Sequence, residues 1–242
     1  MKKLFLMFTF LLLSTSAFFV YGQKPTDYKV WHTTEMTDSC EAHYLFIMSG
    51  QYFTKSRYRV DNGGFINTKG GSYKIIGDSI LFFYEFDSED KTKVGITTTY
   101  AYDLKGEHLI LSSARKSRTL KNIDQGGSTA LSGTYLFSGR KEKGEITKRN
   151  TDQPRKTMKV LTGNRFQWIA FNTETGEFFG TGGGTYSAIN GKYVEAIEFF
   201  SRNNARVGAK LEFEYDKQGE DWHHTGLSSN GDLIYEIWSI RK

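Results

Sequence analysis

The chain has 242 residues, of which 32 are Lys or Arg and 27 are Asp or Glu, giving a formal net charge of +5. Lys2 and Lys3 belong to a segment that we expect to be removed, which leaves an excess of +3. So mild a basic balance does not require nucleic acid or another polyanion as partner. The single cysteine, Cys40, excludes an internal disulfide framework.

The first 22 residues have the pattern of a cleavable secretory signal peptide. A positive start is followed by an apolar run over residues 4–13, and Val20 and Gly22 stand at the −3 and −1 positions before Gln23. The alternative, an uncleaved membrane anchor, is weaker because the apolar run is short for a bilayer span. We therefore expect a secreted or periplasmic protein, cleaved after Gly22, whose mature chain has no transmembrane segment.

Past residue 25 the hydrophobic pattern has a period of two, which is typical of half-buried strands. No window combines a helix cap with a sustained period of 3.6 residues. In chain order, the pattern predicts strands at Leu45–Met48, Ile80–Phe86, Thr97–Tyr102, Gly133–Ser138, Met158–Thr162, Arg165–Phe171, Tyr193–Phe200, Lys210–Tyr215 and Leu233–Ile240. Short Gly-containing turns between antiparallel strands predict a barrel or a sandwich, and we favour barrels because closure removes exposed edges.

The chain also contains an internal duplication. Residues 50–112 align without a gap with residues 163–225 at a constant offset of 113, and 18 of these 63 positions are identical. The period is far longer than that of solenoid or propeller repeats, so it indicates a duplicated domain. The predicted fold class is therefore all-β, with two tandem antiparallel up-and-down barrels.

The predicted junction between the copies is Ser112–Ser132, which includes a loose polar run over residues 124–128. With a boundary near residue 126, we expect a signal peptide (1–22), a diverged first barrel (23–125) and a second barrel (126–242). Two bodies of roughly 100 residues each fit ordinary domain sizes.

The second copy resembles a secreted, lipocalin-like family of bacterial domains of unknown function. The resemblance is clearest over 133–242, and the first copy, at about 28–120, shares it only through the repeat. The residues that carry it are Lys159-Val160-Leu161-Thr162-Gly163, Phe166-Gln167-Trp168, Gly182-Gly183-Gly184-Thr185-Tyr186, Tyr193-Val194-Glu195, Val207-Gly208, Trp222-His223-His224 and Tyr235-Glu236-Ile237-Trp238. It implies an up-and-down antiparallel barrel whose interior can hold one small apolar ligand.

Wider lipocalins open with Gly-x-Trp and end with an Arg that packs over that Trp. Here Gly133-Thr134-Tyr135 stands at the first place, and Arg241 lies near the end. The resemblance therefore makes Arg241 the residue that would close the barrel base over Tyr135. The tyrosine departs from the family pattern and puts this closure in question.

The candidate ligand-binding residues lie in the second copy: Trp168, Tyr186, Glu195, Phe213, Trp222, His224 and Trp238. Their aromatic rings fit either a packed core or a ligand-lined lumen, because a small barrel also needs side chains to fill it. If alternation continues across the turn after Tyr215, Trp222 and His224 face inward and His223 faces out.

Glu195, Glu198 and Glu236 lie in otherwise apolar strands. Glu195 and Glu198 must face opposite sides of their strand. Glu198 recurs as Glu85 and is expected to be structural, whereas Glu195 replaces Phe82 of the first copy. We therefore expect either a lumenal His224–Glu195 pair that orients the polar end of a ligand, or a buried hydrogen bond from Tyr or Trp to Glu195.

Other chemistry has little support in the sequence. Gly182–Gly184 lacks the phosphate-loop arrangement and leads into a strand, so we expect it to mark a turn or bulge. Adjacent histidines on a strand do not share a face, and no metal-ligand spacing is visible, so no cofactor or metal is expected. Residues Arg140–Lys159 are expected to form a long basic loop that is simply solvated, closes the barrel mouth as a lid, or meets anionic headgroups.

Three functional hypotheses follow. The first is an exported, non-enzymatic protein that binds a small, largely apolar ligand in the second barrel, where Glu195 and Trp222–His224 replace apolar residues of the first copy. The alternative is a structural or protein-interaction module of the cell envelope without a lumenal ligand. A hydrolase or isomerase acting inside the barrel is the third. The sequence does not indicate an oligomeric state.

Overall fold

A computed structural model describes residues 28–124, 128–228 and 231–242. The predicted signal peptide lies outside the described residues, as does the centre of the predicted linker. Within the described ranges the regular structure is antiparallel β-sheet, together with two single-turn 3-10 helices at Lys91–Lys93 and Asn204–Arg206.

The first copy forms a closed eight-stranded barrel in which each strand pairs with the next along the chain. The last strand returns to the first through the partners Trp31–Asn122 and His32–Lys121. Its strands are β1 (Lys29–Met36), β2 (Glu41–Ser49), β3 (Tyr52–Arg59), β4 (Phe65–Ile76), β5 (Ser79–Asp87), β6 (Thr97–Lys105), β7 (His108–Ser112) and β8 (Ser117–Asn122).

The second copy closes a barrel of the same kind. Its strands are β9 (Gly133–Glu142), β10 (Glu145–Lys148), β11 (Arg155–Leu161), β12 (Arg165–Asn172), β13 (Phe178–Ile189), β14 (Lys192–Phe200), β15 (Lys210–Gln218), β16 (Asp221–Leu227) and β17 (Leu233–Ile240). Strand β9 pairs with both β11 and β17, which closes eight strands, and β10 is an exposed hairpin extension of β9. The predicted fold class, two tandem antiparallel barrels, is confirmed.

The duplication is visible strand by strand. Strands β3 to β6 recur as β12 to β15 with the same bounds displaced by 113 residues. The shared Gly-Gly pairs lie at equivalent register shifts, between Gly70 and Gly71 and between Gly183 and Gly184, so they mark bulges as predicted. A Cβ on Gly184 would lie 2.0 Å from the carbonyl oxygen of Ala196, which explains the requirement for glycine there.

Two expectations about irregular segments were wrong. Part of the predicted linker is β8, whose single buried apolar residue, Leu120, leaves too little alternation to reveal a strand. Much of the basic segment predicted as a loop is also strand, in β9, β10 and β11. The β9–β10 hairpin projects beyond the barrel and is mostly exposed, so its sequence shows no buried face.

The two barrels pack side against side, and this contact buries an apolar cluster drawn from both copies. Phe199 stacks on Tyr58 with ring centroids 4.8 Å apart, and the equivalent pair, Phe86 and Phe171, lies at 4.9 Å. The equivalent residues Phe65 and Phe178 stack on each other. The contact therefore has approximate twofold symmetry.

Hydrogen bonds at the centre of this contact are buried. The Gln167 side-chain amide donates to the hydroxyls of Thr68 (3.1 Å) and Thr181 (3.0 Å), which are equivalent residues of the two copies. The Ser56 hydroxyl donates to the Gln167 carbonyl oxygen at 3.1 Å. Because buried polar groups are costly when unpaired, this network favours one relative placement of the barrels.

Candidate functional site

A cavity of about 240 Å³ opens into the second barrel. It is lined by Thr157, Lys159, Trp168, Glu195, Ile197, Phe200, Arg202, Leu211, Phe213, His224, Ser228, Ile234, Glu236 and Trp238. Five of the seven candidate residues are in this lining. The other two, Tyr186 and Trp222, pack in the barrel core beside it.

Strand alternation positions these side chains. Trp222 and His224 are buried on one face of β16, as predicted, and His223 between them hydrogen-bonds outside the lumen to the hydroxyl of Tyr235. On β14, Glu195 is only 4 % exposed. The inward face of this barrel therefore carries ionisable groups among aromatic rings.

A buried ion pair lies deep in the lumen. The Lys159 ammonium donates to Glu195 Oε1 at 2.9 Å, and the Tyr193 hydroxyl donates to the same oxygen at 2.8 Å. The ammonium also lies 4.9 Å from the Trp222 ring and 5.0 Å from the Trp238 ring. Burial and the adjacent Glu195 carboxylate raise the pKa of Tyr193, which therefore stays a hydrogen-bond donor.

A second polar pair also lines the cavity. His224 Nδ1 is 3.4 Å from Glu236 Oε2, and the Trp238 indole N–H donates to that oxygen at 3.0 Å. Burial, then the charge of Lys159, lowers the pKa of His224, so the imidazole is neutral near pH 7. Burial alone would raise the pKa of Glu236, but the His224 hydrogen bond and the Lys159 charge outweigh it and lower that pKa, so the carboxyl is ionised.

The expected His224–Glu195 pair is therefore not formed. Glu236 lies directly opposite His224 in the β16–β17 register, and Glu195 forms an ion pair with Lys159 instead. The alternative, a hydrogen bond from a tyrosine to Glu195, is present through Tyr193. Two enclosed nitrogens, Trp222 Nε1 and His224 Nε2, have no hydrogen-bond partner among the described residues.

Sequence reasoning missed Lys159 and gave Glu236 no role. Lys159 lies at the end of the segment predicted as a solvated loop, although it also falls within the predicted strand Met158–Thr162. Alternation along that strand places the Lys159 side chain on the face away from Met158 and Val160, which pack against the first barrel. That signal was available, and it points a lysine into the lumen.

The contacts of Tyr186 and Arg241 are structural. The Tyr186 hydroxyl donates to the carbonyl oxygen of Thr162 and shares a hydrogen bond with Thr129. The family resemblance implied that Arg241 closes the barrel over Tyr135, but Arg241 does not lie there. Its guanidinium lies 4.2 Å from the Tyr52 ring and forms an ion pair with Glu85, both in the first copy.

The first barrel also buries a lysine, but in different surroundings. Lys55 is 4 % exposed, and its ammonium nitrogen lies 3.3 Å from the Phe82 ring centroid, with Phe46, Phe53 and Tyr100 within 5.2 Å. Phe46 and Phe82 are the equivalents of Lys159 and Glu195. Because desolvation has no carboxylate to offset it, the pKa of Lys55 is well below its ordinary value of 10.5.

A larger groove of about 640 Å³ lies where the two barrels meet. His32 Nε2 and His43 Nδ1 are 2.9 Å apart there, and Tyr58 and Arg165 both donate to Glu198. Across the described ranges, no cluster of three or more His, Cys, Asp or Glu is arranged to hold a metal ion. None of the helices in those ranges is long and apolar enough to span a membrane.

No protein-family model matches the chain, and no curated protein is significantly similar to it. Among solved structures it is similar to an uncharacterized protein, YLR301w, from Saccharomyces cerevisiae, with a TM-score of 0.45 and 9 % identity over 88 % of this chain and 98 % of that one. A second similarity is to the DNA polymerase III beta subunit from Thermotoga maritima, with a TM-score of 0.20 and 10 % identity over 88 % of this chain and 55 % of that one. At these levels neither protein indicates a function for this chain.

The buried ion pair predicts a non-additive stability effect. Glu195→Gln removes the only carboxylate that is hydrogen-bonded to the Lys159 ammonium within the described residues, so we expect a loss of about 3–5 kcal/mol in the free energy of unfolding. The double variant Lys159→Met/Glu195→Met removes both charges and should recover most of that loss. Urea unfolding of the single and double variants measures both. A double variant less stable than Glu195→Gln would show that the pair is not the source of the effect.

Lys55 predicts a pH-dependent stability. Between its lowered pKa in the folded state and 10.5, the unfolded chain binds a proton that the folded chain does not. Stability should therefore rise with pH in that window, by about 1.4 kcal/mol per pH unit. Urea unfolding of wild type and Lys55→Met between pH 8 and pH 10 isolates this contribution as a difference. Parallel pH profiles would contradict it.

Proposed function

We propose that this chain is an exported, non-enzymatic binding protein that holds one small, largely apolar ligand with a polar end in its second barrel. The observation that carries the proposal is the cavity of about 240 Å³ in that barrel, with aromatic walls and ionisable groups at its depth. At the equivalent depth the first barrel packs Lys55 against Phe46, Phe53 and Phe82. The two lumens are therefore built differently.

The cavity size restricts the ligand. Sites for drug-sized ligands are usually about 300–1,000 Å³, and the volume here equals that of roughly eight liquid waters at about 30 Å³ each. A monocyclic or short-chain compound fits this space, whereas a tetrapyrrole or a full-length lipid chain does not. Rings such as Trp168, Phe213 and Trp238 suit an apolar body, and the carboxylates of Glu195 and Glu236 suit a polar end.

Membership of the lipocalin-like family is part of the proposal. Two closed antiparallel eight-stranded barrels are consistent with it. A binding role rather than catalysis is supported by the pairing of the lumenal ionisable groups with one another, Lys159 with Glu195 and His224 with Glu236. Export rests on the signal-peptide pattern of residues 1–22.

A protein-interaction module of the cell envelope is the second candidate. Leu227, Leu233 and Ile146 are exposed, and Leu233 is 78 % exposed. Leu233 also lines a depression with Lys141 and Lys143 at the β9–β10 hairpin. An outer surface of this kind suits a docking partner, and such a role would not need the lumen.

The lumenal site is tested by native mass spectrometry of the mature protein with panels of small monocyclic compounds, lipids and tetrapyrroles. We expect one ligand bound per chain, and only from the panel of small monocyclic compounds. Leu211→Trp, which fills the cavity, should abolish binding, whereas Ile189→Trp, at an exposed position of β13, should not. Absence of binding from every panel, or equal binding by Leu211→Trp, would refute the lumenal site and favour the interaction module.

Export is tested separately. Expression of the full chain in a bacterial host should yield a product whose N-terminal sequence begins at Gln23, because the signal peptide is removed during translocation. Deleting residues 2–22 should keep the protein in the cytoplasm. N-terminal sequencing of fractionated cells measures both, and an uncleaved product in the cytoplasm would contradict export.

A further inference from the structure

The charges buried in the second lumen do not balance. Glu195 and Glu236 contribute two carboxylates, Lys159 contributes one ammonium, and His224 is neutral because its pKa is lowered. Arg202 also borders the cavity, with its guanidinium 5.6 Å from the Trp168 ring, but the residue is exposed and water screens its charge. The enclosed part of the site therefore carries one uncompensated negative charge.

Each lumenal carboxylate also has an oxygen to spare. Both hydrogen bonds to Glu195 reach Oε1, and both hydrogen bonds to Glu236 reach Oε2. The second oxygens, Glu195 Oε2 and Glu236 Oε1, accept none within the described residues. Both residues line the cavity, and the Glu236 side chain is 27 % exposed, so the site presents two carboxylate acceptors.

The walls favour a cation as well. Trp168, Phe200, Phe213 and Trp238 surround the cavity, and the face of an aromatic ring attracts a positive charge. The same barrel already holds the Lys159 ammonium over the rings of Tyr193, Trp222 and Trp238, at 5.3, 4.9 and 5.0 Å. A second ammonium at the cavity end would meet the same kind of surroundings.

Anionic and neutral ligands fit less well. A carboxylate would enter beside Glu195 and Glu236, and the buried cation, Lys159, is already paired. A neutral alcohol can donate one hydrogen bond but leaves the negative charge uncompensated. A protonated amine supplies both the charge and the N–H donors that the free oxygens require.

We propose that the ligand of the second barrel is a small organic ammonium, a primary or secondary amine on an apolar body. This inference rests on the proposed binding function. The amine lies between the free oxygens of Glu195 and Glu236, and the apolar body lies against the rings of Trp168, Phe213 and Trp238.

The test compares ligands of one shape and different charge by intrinsic tryptophan fluorescence, because Trp168 and Trp238 line the cavity. The probes are 2-phenylethylamine, its N,N,N-trimethyl derivative, 2-phenylethanol and 3-phenylpropionate at pH 7. We expect the amine to bind at least 10-fold tighter than the alcohol, the trimethyl derivative to lose affinity with its N–H donors, and the carboxylate to bind weakest.

Glu236→Gln should reduce amine affinity at least 10-fold and leave the alcohol unchanged. Glu212→Gln, on the exposed face of β15, removes the same charge outside the lumen and should change neither. Circular dichroism confirms folding, and if Glu236→Gln does not fold, the wild-type ligand series decides alone. Tighter or equal binding of the alcohol or the carboxylate overturns the ammonium assignment but leaves the binding function standing. No binding by any probe, together with empty mass-spectrometry panels, overturns both.

Discussion

The side-by-side contact between the two barrels is the constraint on which the rest of the structure depends. It buries outward-facing residues of strands β2, β3 and β5 against those of β11, β12 and β14, so these strands are covered on both sides. Approximate twofold symmetry makes each contact occur twice, as in the Tyr58–Phe199 and Phe171–Phe86 pairs. Some contact residues recur in both copies, as Phe86 and Phe199 do, and so do some lumenal residues, as Phe53 and Phe166 do. The ionisable residues of the two lumens, by contrast, differ between the copies.

Both lumens bury a lysine, and the difference between them shows how charge is managed in a small barrel. Lys55 lies against aromatic rings without a carboxylate, so its pKa falls. Lys159 enters from a different strand and lies against Glu195, which replaces the phenylalanine of the first copy. Glu236 adds a second carboxylate beside the Lys159–Glu195 pair, which leaves a net negative charge next to the cavity. The same strand framework thus encloses two lumens with different buried charges.

Much of the fold was predictable, because repeated glycines, aromatic residues and two-residue alternation report directly on strands and bulges. The inward placement of Trp222 and His224 followed from the same alternation. Strand β8 was not predictable, since Leu120 alone cannot establish a period. The ion pair of Glu195 with Lys159 and the pairing of His224 with Glu236 were also missed, because pairing depends on strand register across the sheet, and register is set by bulges and tertiary contacts. Lys159 was missed because basic residues around it suggested solvent.

The symmetric contact has a consequence for how such a chain can diverge. A surface that meets its own equivalent across a twofold axis is the isologous interface of a homodimer. In a homodimer every substitution occurs in both subunits, so a charge introduced into one lumen is introduced into both. Covalent fusion of the halves removes that coupling. One half can then keep the substitutions that stabilise the assembly, while the other accumulates polar substitutions in its interior.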